Sequence, residues 1–294
     1  MRKLISTLTL LSLFSINSFA CTEDGTEGFV PENDLKISAN AKSMMNSNID
    51  EAEFNAVIDK VEKVYAPIVE QQGGNLQVIR KWDDGTVNAY AQQSGSTWKV
   101  SMFGGLARHE AITPDGFALV VCHEIGHHIG GAPKKRSIWA SSWASNEGQA
   151  DYFATLKCLR KTFRSEDNVK IMSKVLVPLK AKLECHRQFT SDEDRAICER
   201  GAMAGMSTAK LFQSLRGEET SPNFTTPDSK VVSKTDDKHP ATQCRLDSYF
   251  NGALCQLDDN IDVSNEDEAA GVCYRNSGDT KGVRPLCWFA PKTI

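Results

Sequence analysis

The stretch Cys122-His123-Glu124-Ile125-Gly126-His127-His128 carries two histidines four residues apart, with a glutamate beside the first. Residues four apart share a helix face, so on a helix the two imidazoles close on one metal ion and Glu124 flanks the position they leave open. Neutral imidazole suits Zn²⁺, and a carboxylate beside a metal-activated water serves as a general base, so the chemistry on offer is hydrolysis. Taken alone, the motif also fits a buried helix that merely happens to contain these residues. Nineteen residues separate His127 from Glu147, which lies in a second helical stretch, Ser145-Asn146-Glu147-Gly148-Gln149-Ala150-Asp151. There Glu147 can supply a third ligand, and Asp151, four residues on and on the same face, can hydrogen-bond a ligand imidazole. A pair of solvated surface acids is the competing reading.

The flanks say that the first motif is helical. Thr113 suits an N-cap, Pro114 the first helical position and Asp115 the positive end of the dipole; Phe117, Val120, Val121 and Ile125 supply an apolar face and Gly130-Gly131 a stop. Upstream, residues 49–71 repeat at helical spacing and end at Gly73-Gly74. Residues 76–82, 86–92 and 97–103 then read as three strands with turns at Asp83-Asp84-Gly85 and Ser94-Gly95-Ser96, a small antiparallel sheet. Residues 98–103 are the candidate edge strand for an extended substrate. Residues 132–142 read as a loop. Three helical patterns between Val169 and Gly217, broken at Pro178, Thr190-Ser191 and Gly201, form a helical body. The polar stretch 217–238 reads as a flexible lid.

Five landmarks in order carry a family resemblance: Asn88-Ala89-Tyr90-Ala91, Phe103-Gly104-Gly105-Leu106, His123-Glu124-Ile125-Gly126-His127, Glu147-Gly148-Gln149-Ala150-Asp151 and His239-Pro240-Ala241-Thr242-Gln243-Cys244-Arg245. Together they resemble the HtpX-like, CAAX-prenyl-protease-like and BepA-like zinc metallopeptidases, of gluzincin type. One departure is the short gap to Glu147, which many members lengthen. The resemblance implies an α+β, mostly helical zincin-like fold and one catalytic Zn²⁺ on His123, His127 and Glu147. It also implies Glu124 as general base, His239 and Arg245 at the site mouth as donors to an oxyanion, and a polypeptide substrate. Relatives in the bacterial periplasm act in quality control, so a chaperone-like or binding protein on the same scaffold is the alternative. A disulfide-held surface protein with an accidental motif is a third reading.

Residues 1–20 read as a signal peptide: Arg2 and Lys3, an apolar core at 4–14, and a Ser18-Phe19-Ala20 cleavage site. The core is too short to span a bilayer, and no other run is long enough, so a periplasmic or extracellular protein is expected. Cys21 would head the mature chain and is a candidate lipid anchor, although Ser18 and Phe19 fit lipoprotein processing poorly. Nine cysteines suit an oxidising compartment, and without Cys21 eight remain for four bridges whose pairing the sequence leaves open. None form a Cys-x-x-Cys pair, which argues against a structural zinc site. Losing Arg2 and Lys3 takes the net charge from −4 to −6, and no basic stripe suggests nucleic acid. The expected domains are a polar, loose leader (21–48), a metallopeptidase domain (49–251) and a cysteine-containing extension (252–294). Cys122 and His128 lie off the metal face, with Cys122 turned to the core or to a disulfide partner, and His109 and His186 read as surface or cap residues.

Overall fold

The computed structural model describes residues 27–40, 49–136 and 141–292. The signal peptide and Cys21 lie outside them. Helix α1 (Glu51–Gln71) is capped by Asp50, which accepts from the Glu53 amide, and buries Phe54, Val57, Ile58, Val61, Tyr65 and Val69 as its spacing requires. Strands β1 (Asn75–Lys81), β2 (Ala89–Ser94) and β3 (Thr97–Phe103) follow.

The sheet is mixed rather than antiparallel, in order β1-β3-β2, with β1 parallel to β3 and β2 antiparallel to β3. The Ser94-Gly95-Ser96 turn makes the expected hairpin, but the stretch around Asp83-Asp84-Gly85 does not. Arg108 binds the carbonyls of Trp82 and Asp84, the Gly105 amide binds Asp84 O, and the Ile37 amide binds Gly85 O. These ties carry the chain across the sheet instead of back along β1. Strand β3 is therefore central, and the expectation that it is the substrate-pairing edge is overturned. On the side of the motif helix the edge is β2.

Helix α2 (Gly104–Ala107) leads to α3 (Pro114–Ile129), which carries the motif; Thr113 caps it through its hydroxyl, accepting from Gly116 N. From Gly116 to Ile129 every residue of α3 is buried. It packs against α1, β2 and two helices still to come, α4 (Glu147–Phe153) and α8 (Asp192–Arg216). Each large apolar side chain so buried contributes about 1.5–3 kcal/mol, which makes α3 the axis of the core. Cys122 pairs with Cys158, on the π-helical turn (Ala154–Cys158) that joins α4 to α5 (Leu159–Phe163). That bond ties the motif helix to the helix of Glu147.

Between α3 and α4, part of the expected loop is a hairpin, β4 (Lys134–Arg136) with β5 (Ser141–Ser145). Asn146 caps α4 by accepting from Gln149 N, and the Ser145 hydroxyl donates to Gly131 O. Helices α6 (Asn168–Met172) and α7 (Leu179–Gln188) precede α8, which does not break at Gly201. There the missing side chain serves packing: a Cβ on Gly201 would lie 3.2 Å from Ala253 Cβ, and one on Gly205 2.6 Å from Tyr249 Cβ. Both contacts come from α9 (Thr242–Leu254), drawn close against α8.

All eight cysteines after Cys21 are paired, adding Cys185–Cys198, Cys244–Cys287 and Cys255–Cys273. This is the usage of an exported chain. No helix among the described residues is long and apolar enough to cross a membrane. The segment read as a lid is tied down, with Asp228 N on Asp247, Val232 N on Leu286 O and Asp236 N on Trp288 O. The C-terminal extension is built into the body as well. Trp288 is fully buried, its Nε1 donates to Ser248, and its ring lies where a Cβ on Gly148 would come within 2.2 Å. A buried indole cannot yield that space, so Gly148→Ala should destabilise the fold by roughly 1–3 kcal/mol, measured by thermal denaturation. An unchanged melting temperature would show that the ring adapts.

Residues 27–40 also depart from expectation, because they are no loose leader. Phe29, Val30 and Ile37 are buried, and the Arg108 guanidinium holds Ile37 O. The general polarity of this stretch hides three apolar anchors.

Candidate metal centre

Helix α3 presents His123 and His127 on one face, and the first residue of α4, Glu147, meets them. His123 Nε2 lies 3.4 Å from Glu147 Oε2, and His127 Nε2 lies 3.6 Å from Glu147 Oε1. Two donors of a tetrahedral ion at about 2.0–2.1 Å are roughly 3.3 Å apart, so these separations suit a shared metal. Both imidazole Nε2 atoms are buried without a hydrogen bond among the described residues, although such atoms normally find a partner. His123, His127 and Glu147 thus form a cluster able to hold a metal ion.

The other imidazole nitrogens are anchored, which fixes how the rings face. His127 Nδ1 lies 2.8 Å from Ser145 O, a contact that places the proton on Nδ1 and leaves Nε2 free to ligate. His123 Nδ1 lies 2.8 Å from Asp151 Oδ1. That oxygen also accepts from Arg245 Nη2 at 2.6 Å and from the Tyr249 hydroxyl at 2.7 Å. Asp151 therefore sits where its spacing from Glu147 placed it. The Asp151–Arg245 pair is fully buried, and removing one partner of such a pair costs roughly 3–5 kcal/mol.

Burial disfavours a charged His123, but Asp151 and Glu147 outweigh it and lift the imidazole to about 9. His127 is held by burial well below its ordinary range. Burial pushes against an ionised Glu147, yet His239, His127, His123 and Lys135 keep its carboxyl well below the usual carboxylate range. The Asp151 and Glu147 carboxylates thus favour positive charge at the His123 ring. Glu124 is different: burial, helped by Glu147 and opposed by His123, pushes its carboxyl up to about 8. Neither of its oxygens has a hydrogen-bond partner among the described residues.

His239 reaches the centre from the segment before α9. Its Nε2 lies 3.3 Å from Glu147 Oε2 and 2.8 Å from Gly28 O. Arg245, fully buried, holds Asp151 and donates to Phe29 O, with its guanidinium over the rings of Phe29 and Phe212. All the sequence-derived site residues thus gather around one point. Three further contributors were not assigned a role from sequence. Lys135 places its ammonium 3.0 Å from Glu147 Oε1, Tyr249 binds Asp151, and Phe29 packs its ring edge on His123 at 4.9 Å. The basic run at 134–136 was the only hint of Lys135, and Phe29 lay in a stretch without pattern.

His128 points away, its ring stacked between Trp98 and Trp143. His109 caps the Ala111 amide, and His186 pairs with Glu199.

Fold and centre together define an α+β protein with a buried His-His-Glu cluster on two disulfide-linked helices. Comparison with family models, with curated proteins and with solved structures finds no match.

Proposed function

We propose that this chain is an exported zinc-dependent endopeptidase. The observation that carries the reading is the convergence of two anchored imidazoles and the Glu147 carboxylate, with the unpartnered Glu124 carboxylate beside them. Zinc, when bound there, supplies a Lewis acid and a water of near-neutral pKa. Glu124, on its carboxylate, takes a proton from the attacking water and returns it to the leaving amine. His239 Nε2 faces a peptide carbonyl, which supports its role as donor to a developing oxyanion. Arg245 binds the next carbonyl along and Asp151, which supports a positioning role for it. Asp151 orients His123.

The centre is closed over, with His123, Glu124, His127 and Glu147 fully buried. The second reading is a chain that binds polypeptides without cutting them, in which the buried centre has no part in hydrolysis. Elemental analysis and casein cleavage decide between them. About one zinc per chain is expected, with cleavage that stops on chelation and returns when zinc is added back. A zinc-free protein, or cleavage indifferent to chelator, would end the peptidase reading.

A further inference from the structure

What closes the centre is the chain's own N-terminal segment. Edge strand β2 offers its Ala89 carbonyl outward, and the Phe29 amide takes it at 2.9 Å. The Asn88 side chain clamps the next residue from both sides, accepting from Val30 N and donating to Val30 O, each at 3.1 Å. Arg245 Nη1 donates to Phe29 O at 2.9 Å, and His239 Nε2 lies 2.8 Å from Gly28 O. Five backbone groups in a row, from Gly28 O to Val30 O, are therefore bound. Two side chains are fully buried: the Phe29 ring, which lies among His123, Phe212 and Arg245, and Val30.

Recognition of extended backbone at a sheet edge, with one pocket for an alternate side chain, is how a strand-binding groove holds a peptide. The register places the Gly28–Phe29 amide at the metal centre, because the His239 nitrogen that meets Gly28 O is itself 3.3 Å from Glu147. Gly28 suits that place for a steric reason: a Cβ there would lie 2.4 Å from the Asn88 amide.

We propose that residues 28–30 are a resident substrate mimic, filling the groove in which a polypeptide substrate lies and presenting Gly28–Phe29 as the bond at the metal. The inference rests on the peptidase reading and adds the substrate class to it: an extended strand with a small residue followed by a large apolar one. Another chain binds only from the fraction of molecules whose groove is open, and its apparent affinity falls by that fraction.

The test uses the full-length, zinc-loaded protein carrying Glu124→Gln, so that the probe survives. The probe is an end-blocked, fluorescein-labelled Glu-Gly-Phe-Val-Pro-Glu peptide, followed by anisotropy. Gly28→Val drives the segment off Asn88, and Phe29→Ser removes its pocket anchor, so either variant serves if the other fails to fold. Each is expected to bind the probe at least about tenfold tighter than Glu124→Gln alone, and to ignore a probe with Ser in place of Phe. Equal binding by all three proteins, or binding by none at normal zinc content, overturns the proposal. Cleavage is read separately with Glu124 intact. Casein cut at one rate by all N-terminal variants sinks the mimic and leaves the peptidase standing; probe bound but nothing cut keeps the groove and sinks hydrolysis.

Discussion

Glu124→Gln should lower casein cleavage by on the order of 10²–10⁴-fold, the usual contribution of a general base, while zinc content stays at the wild-type level. Glutamine keeps the shape of the side chain and loses only its capacity to carry the proton. Neither Glu124 oxygen belongs to the ligand cluster, so metal and activity should separate in this variant. Stability gives a second reading. The folded carboxyl is lifted by burial from 4.5 to about 8, so the native state holds its proton more tightly than the unfolded chain does. Stability that is present below pH 4.5 is then lost as pH rises through 8, and glutamine escapes that loss. In zinc-stripped protein the variant should gain on wild type across this window by urea unfolding. Full cleavage by Glu124→Gln would remove the general base from the mechanism.

Glu147→Ala should lose zinc and cleavage together. Loss of a partner that merely orients a ligand weakens metal affinity about 10–100-fold, and loss of the carboxylate ligand itself should exceed that. The carboxylate is also the charge that Lys135, His239 and both imidazoles face, so its removal strips the cluster of its negative charge. Titration calorimetry with zinc measures the loss directly. Melting temperature offers a check, since zinc at 1,000 times its Kd stabilises the wild-type fold by about 4 kcal/mol and should do little for the variant. Wild-type zinc affinity in Glu147→Ala would show that the third ligand lies elsewhere. Variants at Asp151 are poorer tests, because they leave the buried Arg245 without its partner and confound metal loss with unfolding.

Much of the candidate metal centre was legible in the chain because its parts are local. The His123/His127 pair and the Glu147/Asp151 pair each rest on the helical repeat, and the caps at Thr113 and the stop at Gly130 frame the first helix without reference to anything distant. The same holds for α1 and for the hairpin turn at Gly95. The failures share a different cause. Whether β1 pairs with β2 or with β3 depends on Arg108 and Ile37, which hold the connecting segment from elsewhere in the chain. Gly201 reads as a helix breaker until α9 is seen lying against it.

By itself the sequence determined the two helical motifs, the spacing of three candidate ligands and a candidate base, and a cysteine count that suits an oxidising compartment, since each depends on residue type and short-range geometry. Tertiary structure alone decided which cysteines meet, which strand forms the edge, how Lys135 and Tyr249 join the centre, and that Phe29 lies against His123. Those contacts join residues far apart in the chain, and no local periodicity encodes the packing that brings them together.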